Sequence, residues 1–432
     1  MSLTKRLLSK LEWMQGGMRM HRRRNRWACA AAAVAVTGAT LGSGVAIGVS
    51  TAGASSTPFR VLLIAASSTT YLKTNVQTET LLAKAAVTVV NKSGGVNGHK
   101  VVLQTANTNS SPTTAVTKLE SAENGSTKPN MVIFGNASPE SSALLPIAKQ
   151  GKVLSFNQAP TTTSGKASAF PYNFDLSPSA TNYAQAFVAY TKAKGIKKVA
   201  IFAGNDAYGT TIGKSMNKEA KADGLTVTDS VNYKVTALTF TSTLSALQSS
   251  KPQLVWADAY GAPAGYMMQD LQKIGWTVPV LGDDSFSVST PITTPPPTGN
   301  LGTSAVKNLK FQTVTAGVYK PPSQTPKNTQ TMLNAMKRNG SPKASLLFGY
   351  EYDAVLMGVY AARKAGTMTT AAKMAKQVVA QQKAHSVPTG LFPSYGYTTA
   401  SHFATVPLSS FSFVKPSKLI TGQFGAPGST AG

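Results

Sequence analysis

Polar side chains follow the predicted strands of this chain at six places, each where a buried strand ends. They are Ser67 to Tyr71, Asn136 and Ser138, Asn157 to Thr161, Asp206 and Tyr208, Asp258 and Tyr260, and Asp284. Each alone suits a helix cap or a turn. Because ligands of open α/β sheets bind outside the carboxyl ends of the strands, the six loops together predict a binding site.

The residue types at these places indicate how a ligand would be held. Hydroxyls and backbone N–H groups at helix N-termini, at Ser138 and Thr161, suit a carboxylate or a similar anion. Asp284 is suited to pairing with an ammonium group. Four tyrosines can pack around an apolar side chain of the ligand or make cation–π contacts with it: Tyr71, Tyr208, Tyr260 and Tyr352. These types describe a pocket for a small zwitterion or a small polar–apolar molecule.

The common catalytic motifs are missing from the sequence. It contains no G-x-S-x-G elbow, H-E-x-x-H pair or P-loop, and no dinucleotide fingerprint outside the first 54 residues. His99, His385 and His402 are far apart in predicted turns or strand ends, so we expect three separate surface histidines; a metal site or a catalytic triad is the alternative. No enzyme activity and no cofactor are therefore expected.

Residues 1–54 are predicted to be a signal peptide. Eight basic residues precede an Ala/Val/Gly-rich run, and Ala52-Gly53-Ala54 is a small-x-small cleavage site. Met18 or Met20 could be the true start, and a retained membrane anchor is the alternative. The single cysteine, Cys29, lies before the apolar run, so it gives no support to a lipobox. We expect an extracytoplasmic protein without disulfides, in the periplasm or cell envelope or secreted.

The charge is strongly basic even without the leader. The whole chain has a net charge of +26; after residue 54, 34 basic and 15 acidic residues leave +19. The lysines are scattered, without arginine runs or interleaved aromatic residues. This favours a solvated basic surface, or weak attraction to an anionic cell envelope, over a nucleic-acid partner.

The elements that position the polar loops alternate between strand and helix. The run FRVLLIA from Phe59 is apolar except at Arg60, as in a strand covered on both faces. A helix with an apolar stripe including Leu82, Ala86 and Val90 follows, and Gly94-Gly95 can end it in a left-handed cap. The alternation continues to residue 156 and starts again near residue 179, which predicts two α/β lobes of similar build.

Proposed boundaries follow from this order of elements. Lobe 1 is residues 58–175 plus 316–390, lobe 2 is 176–315 plus 391–418, and 419–432 is a disordered tail. Residues 285–308, rich in Ser, Thr and Pro, are predicted to be an exposed insertion without packed structure. Residues 391–414 alternate like short antiparallel strands. Connections between the lobes are expected near Phe174, Thr315 and Leu391.

Four segments carry a resemblance to a known family. They are NKSGGVNGHKV at 91–101, NDAYG at 205–209, LQKIGWTVPVLGDDS at 271–285 and GYEYDAVLMGVYAARKAG at 349–366. Over residues 58–418 the chain resembles extracytoplasmic solute-binding proteins of the branched-chain amino acid ABC transporter type. The resemblance implies an α/β, two-lobed type I periplasmic-binding-protein fold, with parallel sheets flanked by helices and three interlobe crossovers.

The resemblance also implies roles for single residues. Ser138 and Thr161 match carboxylate-binding positions, Tyr208 and Tyr260 match cleft aromatics, and Asp284 matches the acceptor of an amino group. Tyr352 falls near a further pocket position. The sequence departs from the family at three places: the first loop, 66–71, lacks Gly and Pro, Pro160 interrupts the second carboxylate loop, and Asp284 replaces a longer Glu.

The predicted function is capture of a small ligand in an interlobe cleft and its delivery to a membrane ABC permease. The ligand would be a branched-chain or other amino acid, or an amide, urea or an aromatic acid. We expect a monomer that closes by a hinge motion. The alternatives are a secreted α/β hydrolase and a ligand-sensing receptor domain of the same fold.

Overall fold

Two mostly parallel β-sheets with flanking helices make up the part of the chain that the structure describes. This computed structural model describes residues 57–68, 70–135 and 137–429, without the side chains at 70–72. The predicted signal peptide and the predicted site residue Asn136 lie outside these residues. All described residues belong to one compact unit, Gly53–Gly432.

The first sheet has five parallel strands. They are β1 (Phe59–Ala65), β2 (Val101–Asn107), β3 (Met131–Phe134), β4 (Leu154–Asn157) and β5 (Asn173–Asp175). Their order is β2-β1-β3-β4-β5, so the chain starts inside the sheet and moves outward in both directions. The connecting helices are α1 (Thr70–Lys92), α2 (Pro112–Asn124) and α3 (Ser138–Gln150).

The second sheet has six strands. They are β6 (Lys198–Gly204), β7 (Thr226–Tyr233), β8 (Leu254–Ala257), β9 (Val280–Gly282), β10 (Leu309–Val314) and β11 (Phe411–Val414). The order is β11-β10-β9-β8-β6-β7, and only β11 runs antiparallel to its neighbour. Its helices are α4 (Ala180–Ala193), α5 (Ala207–Ala222), α6 (Thr241–Ser249), α7 (Ala262–Lys273), α8 (Asp284–Ser287) and α9 (Thr290–Thr293).

Three late helices return to the first sheet: α10 (Lys327–Asn339), α11 (Tyr350–Ala365) and α12 (Ala371–Lys383). Helix α1 packs against α10 and α11, and Arg363 Nε donates a hydrogen bond to the Gly95 carbonyl at 2.6 Å. The prediction of an α/β, two-lobed architecture is confirmed, while the lobe limits stay a prediction. Among the described residues no helix has the length and apolarity that a membrane span requires.

Local sequence explains the opening unit. Strand β1 is buried except at Arg60, as its apolar run predicts. Leu82, Ala86 and Val90 of α1 are fully buried on one stripe. Gly94 and Gly95 have positive φ angles of 89° and 59°, which confirms the left-handed cap. A side chain at Gly95 would also collide with the backbone carbonyl of His99.

The prediction that residues 285–308 lack packed structure is wrong. Helices α8 and α9 form there, and Phe286 and Ile292 are fully buried against the second sheet. The Ser, Thr and Pro residues lie between a few apolar anchors, and those anchors decide the packing. Residues 173–175, expected to be a connecting segment, form the edge strand β5.

The C-terminal segment also differs from expectation. The prediction of a disordered tail is wrong for residues 419–429, because Phe424 is fully buried and its ring lies 5.0 Å from that of Phe311. Within residues 391–414, the structure forms one strand, β11. Tyr397 Oη donates to the Asp175 carbonyl at 2.6 Å, so the chain still contacts the first sheet after Leu391.

Candidate functional site

Loops from both sheets enclose a cleft made of two adjoining cavities, of about 370 and 700 Å³. The two cavities share Ser138, Pro139, Pro160, Ala207 and Tyr208. The smaller one is also lined by Asn75 and Gln158 from the first-sheet side and by Asp206, Tyr260 and Asp284 from the second-sheet side. The carboxyl ends of parallel strands therefore face each other across the cleft.

Hydrogen bonds between tyrosines and aspartates order the second-sheet side. Asp206 caps α5 by accepting from Gly209 N at 2.8 Å, and its other oxygen accepts from Tyr260 Oη at 2.6 Å. Tyr208 Oη donates to Asp284 Oδ1 at 3.2 Å. A side chain at position 209 would collide with the Gly204 carbonyl, so glycine lets α5 start close against β6.

Asp206, Asp258, Asp283 and Asp284, here called the aspartate cluster, lie at the ends of neighbouring strands. Burial raises the pKa of Asp284 to about 6, against the opposing effect of hydrogen bonds from Tyr183 and Tyr208. Burial, followed by the charges of Asp258 and Asp284, raises the pKa of Asp283 well above its usual range. Burial also raises the pKa of Asp258, although the Gly204 N–H favours its ionised form. The buried carboxyl groups of Asp258, Asp283 and Asp284 therefore lose their protons at higher pH than exposed aspartates do.

The first-sheet side has a buried acidic pair behind the cleft wall. The orientation of the Gln158 amide is the one that satisfies its hydrogen-bond partners. In this orientation its nitrogen donates to Glu351 Oε1 at 2.8 Å and to Glu79 Oε1 at 3.2 Å. Both glutamates are fully buried. Burial, and then the charge of Glu79, raises the pKa of Glu351 well above its usual range. The pair therefore fixes the Gln158 amide at the cleft surface.

The loop at residues 159–161 uses its own hydrogen-bond donors. Ala159 N donates to Asn157 Oδ1 at 3.2 Å, and Pro160 has no N–H. Thr161 N donates to Ser164 Oγ at 2.8 Å, while Thr161 Oγ1 accepts from Ser164 N at 3.1 Å. This loop is closed on itself and does not present a row of N–H groups to the cleft.

A chain of hydroxyls joins the connecting segment to α11. Ser177, which lines the smaller cavity, lies 3.1 Å from Tyr183 Oη. Tyr183 Oη in turn lies 3.1 Å from Tyr350 Oη. Tyr183 belongs to a helix of the second sheet and Tyr350 to α11, so these phenols connect the two halves beside the cleft.

The structure brings four predicted site residues to the smaller cavity: Ser138, Tyr208, Tyr260 and Asp284. Thr161 lines the larger cavity. Ser67 lines neither, and its Oγ donates to Asn107 Oδ1 at 2.8 Å. Two further predicted residues cannot be placed, because Asn136 and the side chain of Tyr71 lie outside the described part.

Tyr352 does not line the cleft; it is buried in the core beneath α11. Tyr350 lines the cavity in its place. Residues two apart on a helix do not share a face, so a pocket at residue 350 excludes residue 352. The sequence pattern identified the segment but not the position at which the helix begins.

Several cleft residues were not singled out from the sequence, among them Asn75, Gln158, Ser177, Phe348 and Tyr350. Asn75 lies within α1 and follows no strand, so the strand-end criterion could not find it. Gln158 lies inside the polar loop that follows β4, and that position was the available signal.

No histidine among the described residues lines either cavity. His402 is buried and stacks on Phe174 at 4.0 Å, which corrects the expectation of a surface position; burial lowers its pKa. His385 is exposed, as expected. The described residues hold no group of three or more His, Cys, Asp or Glu arranged to bind a metal ion.

Solved structures with a similar fold include a periplasmic binding protein type 1 from Bordetella pertussis Tohama I. It has a TM-score of 0.67 and 16% identity over 83% of this chain and 96% of that one. A leucine binding protein from Thermotoga maritima MSB8 has a TM-score of 0.59 and 19% identity over 74% and 87% of the chains. At these identities the likeness shows the fold.

A solute binding protein of an ABC transporter from R. palustris, in complex with 4-hydroxybenzoate, is similar at a TM-score of 0.60. Its identity is 16% over 75% of this chain and 84% of that one. No curated protein sequence matches the chain. The family model described as periplasmic binding protein matches residues 76–413. With the two-sheet fold and the cleft between the sheets, this match shows that the chain belongs to the periplasmic binding protein family.

Proposed function

We propose that this chain is an exported solute-binding protein that captures a small ligand in the cleft and delivers it to a membrane ABC permease. One observation carries the proposal: a cavity of about 370 Å³ is lined by loops of both sheets. A ligand there would contact both halves at once, which is the requirement for hinge closure on binding. The protein would act as a monomer and need no cofactor.

Ligand chemistry follows from the lining residues. Asp284 would accept a hydrogen bond from an ammonium or amide group, and Tyr208 and Tyr260 would wall the body of the ligand. Relatives in fold include a leucine binding protein and a protein in complex with 4-hydroxybenzoate. The candidates are therefore amino acids, amides, urea and aromatic acids. A secreted hydrolase finds less support, because no described histidine lines the cleft to serve as a base.

Thermal unfolding in the presence of these candidate ligands tests the proposal. A ligand at 100 times its dissociation constant stabilises the folded state by about 2.7 kcal/mol. Ala207→Trp, which would fill both cavities, is expected to abolish that shift. Ala222→Trp, at an exposed position at the other end of α5, is the matched control. Absence of a shift with every candidate, together with turnover of an ester or a peptide, would favour the hydrolase.

Export and delivery need separate measurements. We expect the protein recovered outside the cytoplasm to begin near Ser55, as N-terminal sequencing would show, whereas retention of residues 1–54 would favour an anchor. Uptake of the labelled ligand should depend on this chain and should fall with Ala207→Trp. Normal uptake by cells without the chain would contradict its role in transport and favour a sensor.

A further inference from the structure

The cleft carries negative groups without a positive partner. Asp206 and Asp284 line the smaller cavity, and no Lys, Arg or His belongs to the described residues that line either cavity. The ion pairs found among the described residues are Lys192–Asp223 and Lys218–Glu219. Asp284 is buried and Asp206 is half-buried. A carboxylate withdrawn from water without a counter-charge is costly, so a cation is the partner that this site lacks.

Asn75 gives an independent sign of a missing ligand. It is 1% exposed, and neither atom of its amide has a hydrogen-bond partner among the described residues. It lines the same cavity as Asp206 and Asp284. A buried amide without a partner is rare in native structures, and here it adjoins empty space. A ligand with a polar N–H or C=O group would satisfy it.

A ligand carboxylate, in contrast, meets few donors. The N–H groups of residues 159 and 161 are engaged inside their own loop. The N-terminus of α3 has no side-chain cap, but Pro139 has no N–H, so Ser138 is the main donor that this helix offers to the cleft. The N-termini of α5 and α8 are already capped by the carboxylates of Asp206 and Asp283. A ligand carboxylate at either N-terminus would lie beside one of these aspartates, and such like-charge contacts are unfavourable.

The remaining lining suits the body of a small organic cation. Tyr208, Tyr260, Tyr350 and Phe348 present aromatic surface to the smaller cavity. Aromatic rings beside carboxylates can bind an amine through charge and through cation–π contact. The absence of a metal-binding group among the described residues agrees with an organic cation.

We propose that the ligand is an organic cation without a free carboxylate, namely an amine or the amide of an amino acid. Asp284 and Asp206 hold its ammonium group from the second-sheet side, and Asn75 bonds its remaining polar group from the first-sheet side. This proposal rests on the solute-binding function proposed above.

Calorimetric titration of protein purified from cells expressing the full chain tests the proposal with matched ligands. For leucine, the set is L-leucinamide, 3-methylbutylamine, L-leucine and 4-methylpentanoate; equivalent sets are made for phenylalanine and alanine. The amide and the amine should bind at least about tenfold more tightly than the amino acid, because the like-charge contact is removed. The carboxylic acid should not bind.

The outcomes separate the two proposals. Tighter binding of the amino acid than of its amide, or binding of 4-hydroxybenzoate alone, overturns the cation inference and leaves the solute-binding function standing. Absence of binding across all sets and all other candidate solutes overturns both. Ligand binding that does not respond to loss of the cleft carboxylates would also overturn the inference.

Two variants test the carboxylates. Asp284→Asn should weaken amine binding at least about tenfold, the usual scale for one partner of a desolvated charge pair. Asp206→Asn, at a half-buried carboxylate, should weaken amine binding by a smaller factor. Asp206→Asn remains informative if Asp284→Asn fails to fold. Asp223→Asn removes the same charge at an exposed ion pair outside the cleft and should leave amine binding unchanged.

Discussion

Tyr208 Oη lies 3.2 Å from Asp284 Oδ1 and 3.5 Å from Asp283 Oδ2. One phenol from the first turn of α5 is thus within hydrogen-bond reach of two neighbouring carboxyl groups at the end of β9. Burial raises the pKa of Tyr208 well above its usual range, so the phenol stays a donor. It thereby favours the ionised form of Asp284 and helps set the charge of the cleft.

Tyr208→Phe should weaken amine binding by about tenfold at pH 6, because a hydrogen bond to a charged group contributes about 1.5–3 kcal/mol. The ring, and with it the aromatic wall, is retained. Without the phenol the pKa of Asp284 rises further, so the loss should be larger at pH 6 than at pH 8. Titration calorimetry at both pH values measures this difference.

Tyr319→Phe is the control for that variant, because Tyr319 lines a separate cavity near the C-terminus. It should bind the amine like the unaltered protein. An equal loss at both pH values for Tyr208→Phe would show that the hydroxyl bonds the ligand directly and does not act through Asp284.

Amine affinity should rise with pH through about 6. The pKa of Asp284 is raised to about 6 by burial, and the cation needs the ionised carboxylate, so affinity is lost as the pH falls through that value. An alkylamine such as 3-methylbutylamine stays charged until about pH 10, whereas the α-amino group of leucinamide loses its charge near pH 8, so the profile is measured with the alkylamine. Other titratable groups that face Asp284 are Tyr183, Tyr208, Tyr350, Asp258 and Asp283.

Titrations at about pH 5, 6, 7 and 8 measure this profile, with a slope of up to about tenfold per pH unit below 6 for one coupled proton. The raised pKa values of Asp258 and Asp283 extend the rise toward neutral pH. Asp284→Asn should flatten the lower part of the profile. An affinity that is level between pH 5 and pH 8 would contradict the role of Asp284.

The fold was predictable where its causes are local. Strand β1 follows from a run that is apolar except at Arg60, and the end of α1 follows from Gly94-Gly95. Both signals lie within a few residues of the feature that they predict. The meeting of Ser138 and Asp284 in one cleft was also predictable, because parallel strands bring their carboxyl ends to one edge. The alternation of strands and helices in the sequence was sufficient to predict the two-lobed fold and the meeting of these two residues.

Features that depend on distant residues were not predictable. Glu79, Gln158 and Glu351 meet only after three separate elements have packed, and no spacing in the sequence connects them. The selection of Tyr350 over Tyr352 depends on the residue at which α11 begins. Composition was misleading at residues 285–308, because Phe286 alone outweighs many neighbouring Ser, Thr and Pro residues in deciding the packing.

Pro160→Ala should shift selectivity toward free amino acids. The substitution adds an N–H to a cleft loop whose neighbouring N–H groups are already bonded, so a ligand carboxylate gains a donor. Leucine should bind up to about tenfold more tightly relative to leucinamide, since one net hydrogen bond contributes about 0.5–1.5 kcal/mol. Competition between the two ligands measures the ratio. Pro321→Ala, in an exposed loop, should leave it unchanged.

Thr191→Val should destabilise the fold without touching the cleft. Trp256 Nε1 donates to Thr191 Oγ1 at 3.0 Å, and both residues are fully buried between α4 and β8. Loss of the acceptor leaves a buried N–H unpaired, at a cost of about 1–3 kcal/mol. Chemical denaturation followed by circular dichroism measures it. In a Trp256→Phe background the same change should cost almost nothing, and an equal cost in both backgrounds would contradict the pairing.

Asn75→Leu should separate stability from binding. Among the residues that the structure describes, the buried Asn75 amide has no partner, so replacing it by an apolar side chain of similar size removes a penalty of about 1–3 kcal/mol in the ligand-free protein. The melting temperature without ligand should therefore rise, while the stabilisation given by a saturating amine or amide should fall. Thermal unfolding with and without leucinamide measures both quantities on one sample. A variant that is less stable without ligand, and whose ligand-induced shift is unchanged, would show that Asn75 is a core residue and has no contact with the ligand.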